Sequence, residues 1–479
     1  MDHDNSLIGQ PGIGRHESPS HASVTRREFL RATMGGLTAL SASRVLGANE
    51  RIGIGIIGFG LIGRIHTRSF LAQADAEVVA IAETYQPRLD AGIALAGGRP
   101  KPYRDFRQLL EDKRVDAVVV ATPDHWHALM TMLACAAGKD VYVEKPLTLF
   151  VKEGRWMLKV ARRCQRVVQV GTQNRSGPQF HRARQFLREG KLGRMVSVQN
   201  TYFRNLMPGF GNPPDQPAPP GLDYDLWLGP APARPYNPNR AIYHFRWFWD
   251  YSGGQMTNLG QHSLDLVHWF LGVNGPKAVT SAGGRFYLQD NCEVPDTQDA
   301  IIEYPGFTAV CQYRECTAGR SGQGMGGIVF HGTCGTLSVS RSGFEVWADA
   351  KVSPNNAVAR VLPGGHPVGG PQPEPEPEKR EYWTQSLKDE SGDAAGDYQR
   401  HARNFLDCIK SRQQPVADLE SGHQVATACH LANISLKTGR KIVWDADKEG
   451  IVGDPEAAKL LARPYRPPWD AELKALDVG

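Results

Sequence analysis

From Arg51 onward the apolar positions come first in short continuous runs. These are RIGIGII at 51–57, Glu77 to Ala82, Val115 to Thr122 (VDAVVVAT), Asp140 to Val143 and Val167 to Gly171. Segments compatible with helix follow the first and third runs, to about Gln73 and to about Ala137. Continuous apolar runs of this length are typical of parallel strands covered on both faces. The pattern predicts a doubly wound parallel sheet over residues 49–172. From about Asn174 it changes. Arg194 to Arg204, Lys277 to Leu288, Asp299 to Tyr304, Ala309 to Arg314, Gly327 to His331 and Gly335 to Ser340 predict a largely antiparallel sheet. Helices are predicted over Asp397 to Lys410 and Gly422 to Thr438, packing back over residues 173–445, with 446–479 as a tail. Asn205 to Arg240, dense in Pro and Gly, and Leu362 to Glu378, with its PEPEPE, read as loops.

One predicted helix carries polar groups of interest. After Gly253-Gly254, residues Gln255 to Leu271 place Met256, Leu259, Ser263, Leu266 and Phe270 on one stripe. Asn258, His262, Asp265 and Trp269 form another. A histidine one turn from a carboxylate can be oriented as an acid or base. It can equally be a core histidine bonded to Asp265.

The turn after the first strand reads Gly58-Phe59-Gly60-Leu61-Ile62-Gly63, and Glu83 ends the second apolar run 20 residues after Gly63. Gly58 permits a tight turn, Gly60 lets a pyrophosphate approach the backbone, and Gly63 lets helix and strand pack closely. The free N–H groups at the helix start face the phosphates. Glu83 can bond both ribose hydroxyls and would repel a 2′-phosphate, which favours NAD over NADP. Placed between strand and helix with the acid at this spacing, the motif marks a Rossmann domain. The fold class expected is thus α/β, an N-terminal Rossmann domain plus a C-terminal α+β domain with a large, mostly antiparallel open sheet. Ligands in such sheets sit outside the carboxyl ends of the strands. Thr122, Pro123, His127, Glu144, Lys145 and Gln173 fall there.

The N-terminus changes the cellular picture. Thr25-Arg26-Arg27-Glu28-Phe29-Leu30-Arg31 precedes a weakly apolar stretch rich in small residues through Ala48. A twin arginine in that setting predicts a twin-arginine export signal over residues 1–48, a periplasmic location and the twin-arginine machinery as a partner. The uncharged run is shorter than the ~20 residues of a membrane span, and no cysteine offers a lipid anchor, so no stable membrane anchor is expected. The eight cysteines include no Cys-x-x-Cys pair; Cys311 and Cys316 are candidates to pair. A formal net charge of +5 without a basic stripe gives no case for nucleic acid. No metal site is expected.

These motifs together resemble the glucose–fructose oxidoreductase/inositol dehydrogenase/MocA (Gfo/Idh/MocA) family, from about Arg51 to about Asp445. The most specific is Glu144-Lys145-Pro146 at a strand end, joined by the glycine turn, Thr122-Pro123 with His127, and the Asn258…His262…Asp265 helix. The resemblance implies a nicotinamide-dependent oxidoreductase acting on a sugar, polyol or sugar derivative. It implies Lys145 and His262 around the substrate carbinol, with Asn258 and Asp265 in support. Members often carry aspartate where Asn258 stands. An amide cannot take a proton, so either Asp265 tunes His262 or Lys145 is the main base. Arg175, Tyr202, Arg204, His244 and Trp247 are expected along the substrate cleft, aromatic faces suiting a pyranose. Scarcity of free NAD outside the cytoplasm points to a tightly held cofactor. The alternatives are an NAD-dependent glycoside hydrolase or lyase using transient ring oxidation, and a non-catalytic sugar-binding protein. A homodimer or homotetramer through the second sheet is the expected assembly.

Overall fold

The computed structural model describes residues 51–317, 327–351 and 380–479, with backbone alone at 360–361 and 367–368. The export signal and nearly all of the PEPEPE loop lie outside the described residues.

The first domain is a six-stranded parallel sheet. Its strands are β1 (Ile52–Ile57), β2 (Ala76–Ala82), β3 (Lys101–Tyr103), β4 (Ala117–Val120), β5 (Asp140–Val143) and β6 (Val168–Val170), in the order β3-β2-β1-β4-β5-β6. The apolar runs became strands because both faces are covered. Ile54, Val118, Val119, Val141 and Val143 are fully buried, each such side chain being worth about 1.5–3 kcal/mol. Register then aligns the strand ends. Ile57 pairs with Val120, Val120 with Val143, and Val143 with Val170. The residues just beyond, Gly58, Ala121-Thr122, Glu144-Lys145 and Gly171-Thr172, therefore share one edge.

The second domain is built on a ten-stranded mixed sheet. Its strands are β7 (Met195–Phe203), β8 (Ala278–Gly284), β9 (Thr297–Tyr304), β10 (Phe307–Arg314), β11 (Ile328–Gly332), β12 (Gly335–Ser340), β13 (Gly343–Ala348), β14 (Leu387–Asp389), β15 (Ile442–Asp445) and β16 (Gly450–Ile451). The order is β14-β13-β12-β11-β7-β10-β9-β8-β15-β16. Only β7 and β10 run parallel; the other pairs are antiparallel.

Several expectations need correction. The Gln255–Leu271 helix is two helices, Gly254–Asn258 and Gly260–Leu271, stepped at Leu259. The Asn205–Arg240 loop is not a bare connection. Trp227, Leu228, Tyr236, Phe245, Trp247, Phe248 and Tyr251 pack into a cluster of their own. Residues 446–479 are not a tail: Tyr465, Trp469, Leu473 and Leu476 join the first domain's core beside Phe106 and Trp126. Cys311 and Cys316 are free thiols, Cys311 being buried against Asn200. The Ala394–Ser411 helix sends Phe405 against Phe70 and Tyr142 of the first domain. The Leu419–Thr438 helix packs between the two domains, on β8 and on the Val151–Arg163 helix.

Candidate active site

The glycine turn is required by the chain at two of its three positions. Gly58 has φ +90°, and a Cβ there would lie 2.7 Å from Ala121 O. A Cβ on Gly63 would lie 2.2 Å from Gly58 O, so helix Leu61–Leu71 seats directly on the turn. At Gly60 a Cβ would meet nothing closer than Arg88 Nη1 at 3.7 Å. Among the described residues no contact demands glycine at 60, and the room above it suits a ligand's phosphates. Glu83 braces the turn. Its Oε2 accepts from Phe59 N at 2.8 Å and its Oε1 from Tyr85 N at 3.0 Å.

These residues line a groove holding Gly58, Gly60, Leu61, Ile62, Glu83, Thr122 and Pro123. Phe59 and Gly63 stand behind it. The Phe59 ring is in the core, and its N–H is taken by Glu83. The opposite wall comes from the second domain: Leu226, Trp227, Ile242, Tyr243, Phe245 and Arg246. That segment is tied to the first domain by Gln86 N to Gly221 O (2.9 Å), Asp223 N to Thr84 O (2.9 Å) and Arg104 Nη2 to Gly221 O (2.8 Å). A glycine turn, an acid at the second strand's end and an open helix start fit a dinucleotide. So does Thr122 Oγ1, buried and without a hydrogen-bond partner among the described residues.

A second cleft, of about 430 Å³, adjoins the groove. Both share Leu61, Ile62, Thr122, Phe245 and Arg246 as wall. Lys145, Asn258, His262, Glu144 and Tyr202 face it. Lys145 Nζ donates to Asn258 O (3.1 Å) and Oδ1 (2.9 Å). Burial, opposed by the Glu144 charge, brings the Lys145 ammonium down to about 8. Glu144 is fully engaged, accepting from His66 Nε2 at 2.6 Å and from Lys145 N at 3.0 Å. Burial pushes its carboxyl up, but the His66 hydrogen bond and the His66 and Lys145 charges win and hold it below the usual range.

Asn258 has a fixed orientation. Its Nδ2 donates to Gln255 Oε1 (3.0 Å), and Gln255 Nε2 donates to Glu315 Oε1 (2.7 Å). Arg204 closes this chain on Glu315. His262 keeps a neutral ring, because burial and the Lys145 and Arg341 charges push its pKa well down. Arg341 Nη2 faces His262 Nε2 at 3.4 Å. Arginine can only donate, so the imidazole's proton is assigned to Nδ1. That nitrogen is buried and unpartnered among the described residues.

The other expected residues sit elsewhere. Asp265 does not orient His262. It lies deeper along the helix and takes Arg175 Nε at 3.0 and 2.9 Å, so neither Asp265 nor Arg175 lines the cleft. His127 is a brace, its Nδ1 2.6 Å from Pro146 O and its Nε2 2.9 Å from Thr122 O. Gln173, with its amide turned to satisfy both ends, donates to Gly171 O and accepts from Tyr398 Oη (2.8 Å) and Arg341 Nη2 (3.3 Å). Arg204 lies against Trp247, and His244 against Phe210, away from the cleft. Sequence reasoning missed Asp124, Asn174, Asn200, Arg246, Arg341 and Tyr398, all cleft-lining. Arg246 shares a one-turn 3₁₀ helix with His244 and Trp247, so the segment was found but not the face.

Comparison with known proteins agrees with this geometry. The sequence model described as oxidoreductase family, NAD-binding Rossmann fold, matches residues 52–172. That of the oxidoreductase family C-terminal alpha/beta domain matches 192–282 and 388–471. Levoglucosan dehydrogenase of Pseudarthrobacter phenanthrenivorans is 30% identical over 33% of this chain and 42% of its own length. Glycosyl hydrolase family 109 protein 1 of Shewanella sp. (strain ANA-3) is 27% identical over 38% of this chain and 47% of its own. The chain thus spans about half the length of the curated relatives it matches. A solved structure of levoglucosan dehydrogenase with NADH and levoglucosan shares the fold, with a TM-score of 0.61 over 82% of this chain and 99% of that one at 18% identity.

Proposed function

Since the chain belongs to the Gfo/Idh/MocA oxidoreductase family, we propose that it transfers hydride between NAD and the carbinol carbon of a sugar, polyol or sugar derivative. The observation that carries this is the shared wall. The dinucleotide groove opens directly onto the cleft where Lys145, Asn258 and His262 converge. When bound, the nicotinamide ring supplies the hydride acceptor or donor. The chain's own groups handle the proton and the oxygen. Lys145, with a pKa of about 8, is a free amine in useful fraction near neutrality and takes the hydroxyl proton. His262 is the weaker base of the two, its pKa held well below the usual value and its Nε2 lone pair facing Arg341. Its Nδ1–H donates to the substrate oxygen and holds it toward Lys145. Asn258 aims the amine.

Glu83 at the ribose position supports NAD over NADP. The second-domain wall over the groove, tied down at Thr84, Gln86 and Arg104, supports a tightly held cofactor. Export by the twin-arginine route, which carries folded proteins, is consistent with such loading and with a periplasmic location. Assembly as a homodimer or homotetramer is supported by Ile301, Trp347 and Val443, exposed on the outer face of the second sheet. Among the described residues no helix is long and apolar enough to cross a membrane.

The glycosyl hydrolase family 109 relative favours one second reading, a redox-neutral glycoside hydrolase or lyase with transient ring oxidation. One experiment separates them. The purified, folded protein is denatured and its supernatant assayed by mass for nicotinamide, then the native protein is given sugars and glycosides. Net NADH from a free sugar supports the dehydrogenase. Aglycone release without net NADH supports the hydrolase. A protein that neither retains nor binds nicotinamide refutes both.

A further inference from the structure

The cleft holds more positive charge than the proposed chemistry uses. Arg341 forms, with Ser342, the two-residue turn between β12 and β13. Among the described residues its guanidinium reaches neutral groups: His262 Nε2, the Gln173 amide oxygen and the Tyr398 hydroxyl. Several other arginines of this domain are paired with a carboxylate. Arg175 has Asp265, Arg204 has Glu315, Arg182 has Asp389 and Arg314 has Asp299. Among the described residues Arg341 has none. Neither of the two acids that line the cleft pairs with it. Glu144 is held by His66 and Lys145 N, and Asp124 by the Ser252 hydroxyl. Arg246, also without a carboxylate among the described residues, stands at the boundary with the groove, within reach of a dinucleotide's own phosphates. Arg341, on the far side of His262, is not in the groove wall.

A guanidinium offers parallel N–H donors that match an oxyanion's two oxygens. Held beside neutral partners at a cleft wall, it is a recognition group awaiting charge. We propose that the substrate is a sugar bearing an oxyanion, a carboxylate or a phosphate monoester, which docks on Arg341 while its carbinol lies at Lys145 and His262. This rests on the oxidoreductase reading and specifies its substrate class. The anion would also balance the charge that Lys145 and Arg341 impose on His262.

The test is calorimetric titration of the NADH complex of the full chain with glucose, glucuronate and glucose 6-phosphate, and with the same three forms of galactose. At least one anionic form is expected to bind about 10- to 100-fold more tightly than its neutral parent. Whether the uronate or the phosphate shows it identifies the anion. Arg341→Gln should erase the preference and Arg341→Lys keep part of it, with NADH affinity unchanged in both. Neutral sugars binding as well as their acids, no anionic sugar binding, or a preference that survives Arg341→Gln each overturn the proposal. Failure of NADH itself to bind overturns the oxidoreductase reading instead, and this proposal with it.

Discussion

Replacing Asn258 by aspartate tests the polar chain behind Lys145. The chain has a direction. Glu315 is an acceptor, so Gln255 must donate to it through Nε2 and turn Oε1 toward residue 258. Asn258 answers with Nδ2 and leaves Oδ1 for the Lys145 ammonium at 2.9 Å. A carboxylate at 258 would set two acceptors against each other at Gln255 and a negative charge against Nζ. An opposite charge this close moves a pKa by about 1–3 units, or about 1.4–4 kcal/mol in favour of the ammonium. From about 8, Lys145 in Asn258→Asp should titrate near about 9–11. At pH 7 roughly a tenth of the wild-type amine is free. The variant should have about ten- to a thousand-fold less. The readout needs no substrate. Lys145 acetylation by acetic anhydride is followed against pH by peptide mass spectrometry. A titration within about half a unit of the parent, or below it, refutes the reasoning.

Three other outcomes follow from the same geometry. Lys145→Met should abolish turnover yet stabilise the fold at neutral pH. The folded pKa of about 8 lies below the ordinary lysine value of 10.5, so the unfolded chain binds more protons between those values and the penalty is fully present below pH 8. Removing it should add about 3 kcal/mol at pH 7 in urea unfolding, with the gain vanishing toward pH 10.5. Glu83→Gln puts an amide N–H toward either Phe59 N or Tyr85 N; NADH fluorescence titration should show affinity about tenfold weaker and preference over NADPH reduced. Asp265→Asn strands the buried Arg175 guanidinium and should lower unfolding free energy by about 3–5 kcal/mol. Lys145 should still titrate near 8 in it, and a shifted titration would return Asp265 to the site.

The first domain was legible because its signals are local. A strand buried on both faces is a continuous apolar run, and the glycine turn, Glu83 and Glu144-Lys145-Pro146 are read within a few neighbours. The short β3, with two of its three residues exposed, carried no such signal. The second domain was legible as strands but not as a sheet. Sequence cannot order ten strands, so it could not bring the β12–β13 turn to His262, and Arg341 went unseen. The Asn258, His262, Asp265 stripe was half right. Helical spacing puts three residues on a face, but the step at Leu259 and the claim of Arg175 on Asp265 depend on tertiary contacts. Within 205–251, His244 and Trp247 were read as sugar contacts, and both pack against Phe210 instead, because large rings bury more surface in a cluster than on an open wall.

The return of residues 446–479 to the first domain bears on the order in which the molecule can be completed. Tyr465 Oη donates to Glu153 Oε1 at 2.7 Å across 312 residues of sequence. Trp469 sits edge-on to Trp126, their ring centroids 4.7 Å apart. On the other flank Phe405 fills the space beside Phe70 and Tyr142. The dinucleotide domain thus leaves the ribosome ahead of the segments that close its core. Until residues 394–476 arrive, both helical layers over its sheet lack their outer cover, and the nascent domain exposes the surface those side chains later fill. Cutting the chain after residue 172 would not free a cofactor module; it would leave a half-built one, a client for chaperones rather than a binding protein.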